Sequence, residues 1–159
     1  MLDNAAQSPF HFLFGAPSCV PATPFESAGA VLDAAAVARL LDLPQIGYLS
    51  EMMNFPGVLN GDAQVLAKLN AAKQRGLPVD GHAPGLKGDG ARAYAAAGIS
   101  TDHECYSLEE AHDKLAAGMK VLIREGSAAR NFDTLQPLIA SHPAQLMFCS
   151  DDKHPDDLA

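Results

Sequence analysis

The stretch that decides the fold is Lys120-Val121-Leu122-Ile123-Arg124-Glu125. It is a short apolar run that ends in two charged residues, and segments with helical character lie on both sides of it in the chain. Apolar runs without alternating polar residues are typical of strands that are buried on both faces, as in parallel sheets. We therefore predict a buried β-strand over residues 120–123 in an α/β fold.

The same unit of a short apolar run and a helical segment occurs about six times along the chain. The other predicted strands cover residues 10–14, 45–49, 77–79, a segment that opens at 99, and 146–149. The predicted helices cover residues 33–41, 61–75, 90–97, 107–117 and a segment capped by Asp133. This alternation predicts βα units, either in an open doubly wound sheet or in part of a (β/α)₈ barrel. A complete barrel takes about 250 residues, so a single domain over 1–159 would be a partial barrel.

Composition and charge restrict the partners of the protein. The chain has 11 Lys and Arg against 19 Asp and Glu, a formal net charge of −8. This balance argues against binding to nucleic acid or to an anionic membrane surface, because both attract clustered cations. No apolar run approaches the roughly 18–20 residues of a membrane span, and Met1-Leu2-Asp3-Asn4 does not open a secretory signal. Three widely spaced cysteines do not form a disulfide framework, and we expect a cytoplasmic protein.

Ionisable residues follow five successive predicted strands. They are Glu51, His82, His103, Arg124 with Glu125, and Asp151 with Asp152. Because parallel strands all end at the same edge, these side chains are expected on the C-terminal rim, where barrel enzymes have their active sites. Two histidines with two or three carboxylates on one rim are a suitable ligand set for the divalent cation of a hydrolase. The pattern therefore predicts a metal-dependent hydrolase.

Six segments of the chain carry motifs that are specific when taken together. They are Gly15-Ala-Pro-Ser-Cys-Val-Pro-Ala-Thr-Pro-Phe-Glu26, Glu51-Met-Met-Asn-Phe-Pro-Gly-Val58, Asp80-Gly-His-Ala-Pro-Gly85, Ser100-Thr-Asp-His-Glu104, Ile123-Arg-Glu-Gly-Ser127 and Cys149-Ser-Asp-Asp152. In this order they closely resemble the bacterial adenine deaminases of the amidohydrolase superfamily. The resemblance implies a partial TIM-type (β/α)₈ barrel of about six βα units, from the third strand of that family's barrel through the eighth.

The resemblance also implies metal ligands. Glu51 matches the family's fourth-strand carboxylate that bridges two metals, and His82 and His103 match the histidine ligands of the fifth and sixth strands. Asp151 matches the eighth-strand aspartate, which contacts metal and shuttles protons. The family implies a binuclear site with manganese or iron, whereas the ligand types alone would equally allow zinc.

Further residues are implied to act on the substrate. Glu104 and Asp152 lie beside the metal ligands and are expected to contact the purine, and Glu104 is also expected to take part in catalysis. Arg124 and Ser127 lie on the same rim and are expected to help bind substrate. The implied reaction is the hydrolysis of adenine to hypoxanthine and ammonia in purine salvage.

One feature of that family is missing from the sequence. Amidohydrolases carry a His-x-His pair on the first barrel strand, and no His-x-His occurs among the 6 histidines of the chain. We therefore expect a fragment that is inactive, or nearly so, in isolation, and that forms a homo-oligomer or pairs with the missing barrel segment. Two alternatives remain open: another amidohydrolase, such as a cyclic amidase or an amino-sugar deacetylase, and a non-catalytic half-barrel.

Overall fold

Short strands and helices alternate along residues 1–158, the part of the chain that this computed structural model describes. The strands are β1 (Phe14–Pro17), β2 (Ile46–Met52), β3 (Val79–Gly81), β4 (Thr101–Asp102), β5 (Lys120–Arg124) and β6 (Leu146–Cys149). The α-helices are α1 (Leu2–Ala5), α2 (Ala34–Leu41), α3 (Phe55–Leu59), α4 (Ala63–Gln74), α5 (Gly88–Ala96), α6 (Leu108–Ala116), α7 (Phe132–Leu135) and α8 (Leu138–Ser141). Two 3₁₀ turns cover Pro143–Gln145 and Pro155–Leu158.

The strands form two parallel sheets whose order follows the chain, β1-β2-β3 and β4-β5-β6. The two sheets meet where the backbone N–H of Ser100 donates to the carbonyl of Val79 at 2.9 Å. Two residues further along β3, Gly81 lies so close to the Thr101 carbonyl that a Cβ would come within 2.4 Å of it. The protein is therefore an α/β fold in which β3 and β4 run side by side in the same direction.

The first strand lies further along the chain than the sequence predicts. The prediction of a strand over residues 10–14 is wrong, because β1 covers Phe14–Pro17. Pairing with β2 sets this register: Gly15 lies opposite Tyr48, and a Cβ at Gly15 would come within 2.6 Å of the tyrosine ring. The two phenylalanines that precede β1 are exposed and pack against each other, with ring centroids 5.0 Å apart.

The other five predicted strands are confirmed, with shifted ends in most cases. β6 covers the predicted residues 146–149, whereas β3 begins at Val79, where the predicted strand ended. The largest difference is in β2, which extends to Met52 and so includes Glu51 as its penultimate residue. Glu51 therefore projects from the strand itself rather than from the loop after it.

The helices that the sequence predicts before residue 120 are confirmed, and two others differ. α3 was not expected; it begins where the Asn54 side chain accepts a hydrogen bond from the N–H of Gly57 at 2.9 Å. Asp133 does not cap α7 but lies in its first turn, after Asn131. The Asn131 side chain makes no cap, because its oxygen accepts from the N–H of Arg124 at 2.6 Å.

The N-terminus of α6 shows half of the capping box that the sequence predicts. The hydroxyl of Ser107 accepts from the N–H of Glu110 at 3.2 Å, as expected. The Glu110 carboxylate does not return to Ser107; it accepts from the N–H groups of Gly85 at 2.9 Å and Tyr106 at 3.0 Å. This carboxylate thus holds the loops that follow β3 and β4.

Two apolar cores lie between the sheets and the helices. The first packs β1, β2 and β3 against α2, α4 and α5, and includes Val37, Leu49, Leu69, Val79 and Tyr94. The second lies around β5 and α6, and includes Ala111, Leu115, Val121, Ile123 and Leu135. Within residues 1–158 no helix has both the length and the apolar character that a membrane crossing requires.

Candidate metal centre

Ionisable side chains from five consecutive strands line one cleft. The cleft has a volume of about 360 Å³ and is lined by Glu51, His82, His103, Glu104, Tyr106, Arg124, Ala128, Ala129, Asp151 and Asp152. These side chains come from the carboxyl ends of β2 to β6, or from the loops directly after them. A larger cavity, of about 660 Å³, is formed mainly by residues 18–33 and 52–56 and contains none of the predicted site residues. The cleft therefore brings together seven of the eight residues predicted as metal ligands or substrate contacts, with Ser127 as the exception. Glu125, which was expected on the same rim, also lies outside the cleft lining.

One side of the cleft consists of Glu51, His82 and His103, which we call the histidine half. The Glu51 Oε2 atom is 3.1 Å from His82 Nδ1 and 3.9 Å from His103 Nε2. The two imidazole rings meet edge to face, with centroids 5.4 Å apart. His82 Nδ1 is buried, and its contact with Glu51 has the distance of an ion pair but not the alignment of a hydrogen bond. A single carboxylate oxygen therefore faces two imidazole nitrogens.

The contact between Glu51 and His82 shifts the pKa values of both groups. His82 holds the pKa of Glu51 below its ordinary value, against the opposing effect of partial burial. Glu51 in turn raises the pKa of His82, and Glu104 adds to this effect. Without a metal, the pair thus favours an ionised Glu51 and a protonated His82. A divalent cation would take the place of that proton, because a histidine ligand must be neutral.

The opposite side of the cleft consists of Glu104, Arg124 and Asp151, which we call the arginine half. The Arg124 guanidinium contacts both oxygens of Glu104, and it donates to Asp151 Oδ2 at 2.7 Å. Arg124 and Glu104 are only 4% and 5% exposed. Glu104 Oε1 also lies 3.5 Å from His82 Nδ1 and from His103 Nε2, so it connects the two halves. Arg124 is therefore paired with two carboxylates, and its Nε atom is buried without a hydrogen-bond partner.

The backbone is unusual at two of the predicted ligands. Glu51 has a φ of 21° and Asp151 a φ of 48°, and within residues 1–158 no other residue except glycine has a positive φ. Such conformations are uncommon for residues with a Cβ, and they concentrate at functional sites, where the surrounding structure holds them. The surrounding structure therefore holds Glu51 and Asp151 in backbone conformations that they would rarely adopt by themselves.

Two residues near the histidines, the half-buried Asp80 and the buried Tyr94, were not predicted as site residues from the sequence. Asp80 Oδ2 lies 3.7 Å from His103 Nδ1, and its other oxygen accepts from the hydroxyl of Thr101. Burial raises the pKa of Asp80. The Tyr94 hydroxyl accepts from the backbone N–H of His82 at 3.1 Å and so supports the loop after β3. A polar residue inside an apolar strand was a signal for Asp80, whereas nothing in the sequence distinguishes Tyr94 from an ordinary core residue.

Two predicted substrate-binding residues have different surroundings. Asp152 lines the cleft and is exposed. Ser127 lies outside the cleft lining: its N–H donates to the Asp152 carbonyl at 3.2 Å, and its hydroxyl accepts from the N–H of His154 at 2.6 Å. The structure therefore places Ser127 where it supports the loop that carries Asp151 and Asp152.

The donor atoms in the cleft fit a divalent cation. Two overlapping groups have ligand atoms that all lie within 4.8 Å of one another, namely Glu51, His82 and His103, and His103, Glu104 and Asp151. Ligands about 2.1 Å from a common ion at a tetrahedral angle lie about 3.4 Å apart, which is close to the spacings in the histidine half. His82 Nδ1 makes no aligned hydrogen bond although two carboxylates face it, an arrangement that a shared cation would also satisfy. Glu104 joins the second group as a candidate ligand that the sequence analysis had assigned to substrate and catalysis only.

Comparison with known proteins places the chain in a family. The model of the family described as "Amidohydrolase family" matches residues 1–145. The chain belongs to the amidohydrolase family. This family is generally metal-dependent, in agreement with the two candidate ligand groups in the cleft.

The similar proteins include several that carry the name adenine deaminase. The one from Salinibacter ruber (strain DSM 13855 / M31) is 63% identical over 159 residues, which is 100% of this chain and 29% of that protein. Those from Sulfurovum sp. (strain NBC37-1) and Methanosarcina mazei are each 59% identical and are covered to 30% and 28% of their length. The chain thus spans less than a third of the curated relatives that it matches.

Proposed function

We propose that the chain forms part of the catalytic barrel of an adenine deaminase, which hydrolyses adenine to hypoxanthine and ammonia. The observation that carries the proposal is the convergence of Glu51, His82 and His103 at the carboxyl ends of three neighbouring strands. The adenine deaminases that match the chain along its whole length support adenine as the substrate. Purine salvage in the cytoplasm is the setting that follows from this reaction.

We assign the six strands to positions three to eight of a (β/α)₈ barrel, in one domain over residues 1–159. Their uniform parallel order and the direct contact between β3 and β4 support this assignment. The outer edges of β1 and β6 would then be covered by a second copy of the chain or by barrel segments such as the longer relatives possess. Phe148 on β6 is 64% exposed, which favours such a cover.

Glu51, His82 and His103 would hold one divalent cation, and His103, Glu104 and Asp151 would face a second. Manganese or iron is our assignment, and zinc suits the same donors. A cation in this position would lower the pKa of a coordinated water toward neutrality and so provide a nucleophile. Glu51, whose oxygen faces both histidines, would supply the carboxylate of the first position, and His103 belongs to both groups.

The remaining cleft residues would act on water and purine. Asp151 would accept a proton from the attacking water and deliver it to the amine nitrogen that leaves C6. Arg124 already holds Asp151 Oδ2, so Oδ1 is the oxygen that would face both the second cation and the attacking water. Glu104 and Asp152 would contact the purine ring, with Arg124 orienting Glu104, and Ser127 would contribute through the loop that carries Asp152.

A chimeric enzyme tests the proposed function. The 159 residues would replace the matching segment of the Salinibacter ruber adenine deaminase, to which they are 63% identical. We expect hypoxanthine formation from adenine within about tenfold of the parent rate, and a loss of about 10³-fold or more when the chimera carries His82→Ala. His112→Ala is the matched control, because His112 pairs with His142 outside the cleft at a similar centroid distance of 5.5 Å.

Two results would contradict the proposal. A folded chimera that leaves adenine unchanged but hydrolyses a cyclic amide would assign the chain to a different amidohydrolase. A His82→Ala chimera with the full rate on adenine would remove the histidine half from the reaction.

A further inference from the structure

A buried ionic network lies behind the cleft and consists of Asp102, Glu110 and Lys114. Asp102 and Lys114 are 0% exposed and Glu110 is 2% exposed. The Lys114 ammonium is 2.9 Å from Asp102 Oδ1 and 2.8 Å from Glu110 Oε1, and it donates to the Ala83 carbonyl at 2.8 Å. An ammonium has three N–H donors, so each donor of Lys114 has a partner. None of the three residues lines the cleft.

Asp102 connects this network to both histidine loops. Its Oδ2 accepts from the N–H of Ala83 at 2.9 Å, and Ala83 directly follows His82. Its Oδ1 accepts from the N–H of Glu104 at 2.8 Å, and Glu104 directly follows His103. Lys114 binds the Ala83 carbonyl, so both backbone groups of the residue after His82 are held by the network.

Glu110 extends the same anchoring to the far ends of the two loops. Its carboxylate accepts from the N–H of Gly85, three residues after His82, and from the N–H of Tyr106, three residues after His103. The loops after β3 and β4 are therefore both fixed to one set of buried charges. This is a different support from that of Tyr94 and Asp80, which contact the histidine residues themselves.

The network is neither a cation site nor an evident source of stability. Asp102, Cys105 and Glu110 are close enough to hold a metal, but the Lys114 ammonium already lies among them. Burial raises the pKa of the Cys105 thiol to about 12, so the thiol stays protonated. Apolar residues of similar volume are often as stabilising as buried ion pairs. The charges therefore need another explanation, and their bonds to the histidine loops provide one.

We propose that Asp102 and Lys114 are positioning residues that set the relative placement of His82 and His103, and thereby the metal affinity of the histidine half. This inference rests on the proposed function, since it assumes a cation between these side chains. Ligands must be held within about 0.5 Å of their productive positions, and backbone anchors on the residue after each histidine are suited to that.

The test uses the 159-residue chain and two network variants. Asp102→Asn leaves Lys114 paired with Glu110, so no net charge is left buried, but it removes one of the two acceptor oxygens that hold Ala83 and Glu104. Lys114→Met removes the ammonium and the bond to the Ala83 carbonyl. Lys87→Met is the matched control. Lys87 forms an exposed ion pair with Glu109, which lies on α6 as Lys114 does.

Zinc titration calorimetry gives the first readout, with urea unfolding measured on every variant. We expect Asp102→Asn to bind zinc at least tenfold more weakly, or about 1.4 kcal/mol, and Lys87→Met to bind it as the wild type does. Lys114→Met frees Asp102, Cys105 and Glu110 as a second ligand group, so this variant is assessed by folding and by exchange at Ala83. If the network only stabilised the fold, the substitution would lower the urea midpoint, but the folded protein would still bind zinc with the affinity of the wild type.

Amide hydrogen exchange in the metal-free chain gives a second readout that does not depend on the proposed function. In Asp102→Asn we expect the amide of Ala83 or of Glu104 to exchange at least tenfold faster, while the amide of Leu49, bonded to the Pro78 carbonyl, keeps its rate. If the isolated wild-type chain binds no zinc, the chimera decides the proposed function, and exchange at Ala83 and Glu104 decides the anchoring by itself.

Three outcomes would overturn the positioning role. One is a folded Asp102→Asn chain whose zinc affinity matches the wild type. Another is unchanged exchange at both Ala83 and Glu104. The third is failure of both network variants to fold, because the network would then serve the folding of the whole chain rather than the spacing of two histidines.

Discussion

The histidine half of the cleft contains one carboxylate and the arginine half contains two, and the two halves neutralise them differently. In the arginine half, Arg124 contacts both Glu104 and Asp151, so the chain itself supplies the opposing positive charge. In the histidine half, Glu51 faces His82 and His103, which are positive only when protonated. We therefore expect a cation to bind first in the histidine half, where it would replace a proton, because a second cation would have to compete with the Arg124 guanidinium.

The largest expected effect concerns catalysis by the chain alone. The histidine half contains two histidines, and no His-x-His is present in the sequence to complete a two-metal site of the family's type. We expect the 159-residue chain, supplied with manganese, to deaminate adenine at least about 10³-fold more slowly than the Salinibacter ruber adenine deaminase under the same conditions. A turnover rate comparable to that of the Salinibacter ruber enzyme would contradict this expectation and would show that the two halves of the cleft are sufficient for deamination.

The next largest effect is expected in the arginine half. Arg124→Met leaves Glu104 buried and Asp151 beside it without a cation, so the free energy of unfolding should fall by about 3 kcal/mol without metal. Zinc should stabilise this variant more than it stabilises the wild type, because both carboxylates become available as ligands. Urea unfolding with and without zinc measures both effects.

Arg75→Met is the control for that experiment. Arg75 pairs with Asp42, which is largely exposed, so its loss should cost less than about 1 kcal/mol and should not respond to zinc. An Arg124→Met chain as stable as the wild type in both conditions would remove the distinction between the halves.

A smaller effect is expected for single ligands of the histidine half. His82→Ala and His103→Ala should each weaken zinc or manganese binding by roughly tenfold or more, about 1.4 kcal/mol, in calorimetric titrations. His142→Ala should leave the affinity unchanged, because its ring pairs with His112 outside the cleft. Unchanged binding in both cleft variants would make these histidines structural.

The smallest effect is the pH dependence of stability without metal. The folded pKa of Glu51 lies below its ordinary 4.5, so its contribution is present above that value and is lost as the pH falls through the lowered pKa. The folded pKa of His82 lies above its ordinary 6.5, so its contribution is complete below 6.5 and is lost as the pH rises through the raised pKa. The pair therefore stabilises the chain most between these two values.

His82→Gln should remove this maximum. We compare the free energy of unfolding of the wild type with that of the variant near pH 5.5 and near pH 8.5. Because Glu51 is 38% exposed, we expect the advantage of the wild type to be larger at the lower pH by no more than about 1 kcal/mol. Urea unfolding at both pH values measures this difference. An equal pH dependence in the two chains would show that the contact does not contribute to folding.

The strands whose carboxyl ends form the site could be predicted because they are short apolar runs between helical segments. β6 agrees with its prediction, and β2 differs mainly in its end, which lies beyond Glu51. The first strand could not be placed from the sequence, because the aromatic segment 10–14 suits a strand as well as the observed segment 14–17 does. Only the fit of Gly15 against Tyr48 selects the register. The network around Lys114 could not be predicted either, because a lysine in the last turn of an amphipathic helix normally faces solvent.

The sequence by itself determined which residue types stand at the ends of parallel strands, and thus that His82, His103, Glu51 and Asp151 would share one edge. Only the tertiary structure decided how these residues are divided. In the folded chain Asp151 and Glu104 pair with Arg124, and Glu51 contacts the histidines. Ser127 lies outside the cleft, where its hydroxyl accepts from the N–H of His154. The physical reason is that strand order follows from local apolar patterns, whereas the pairing of charges depends on distances of a few ångströms that only the packed loops establish.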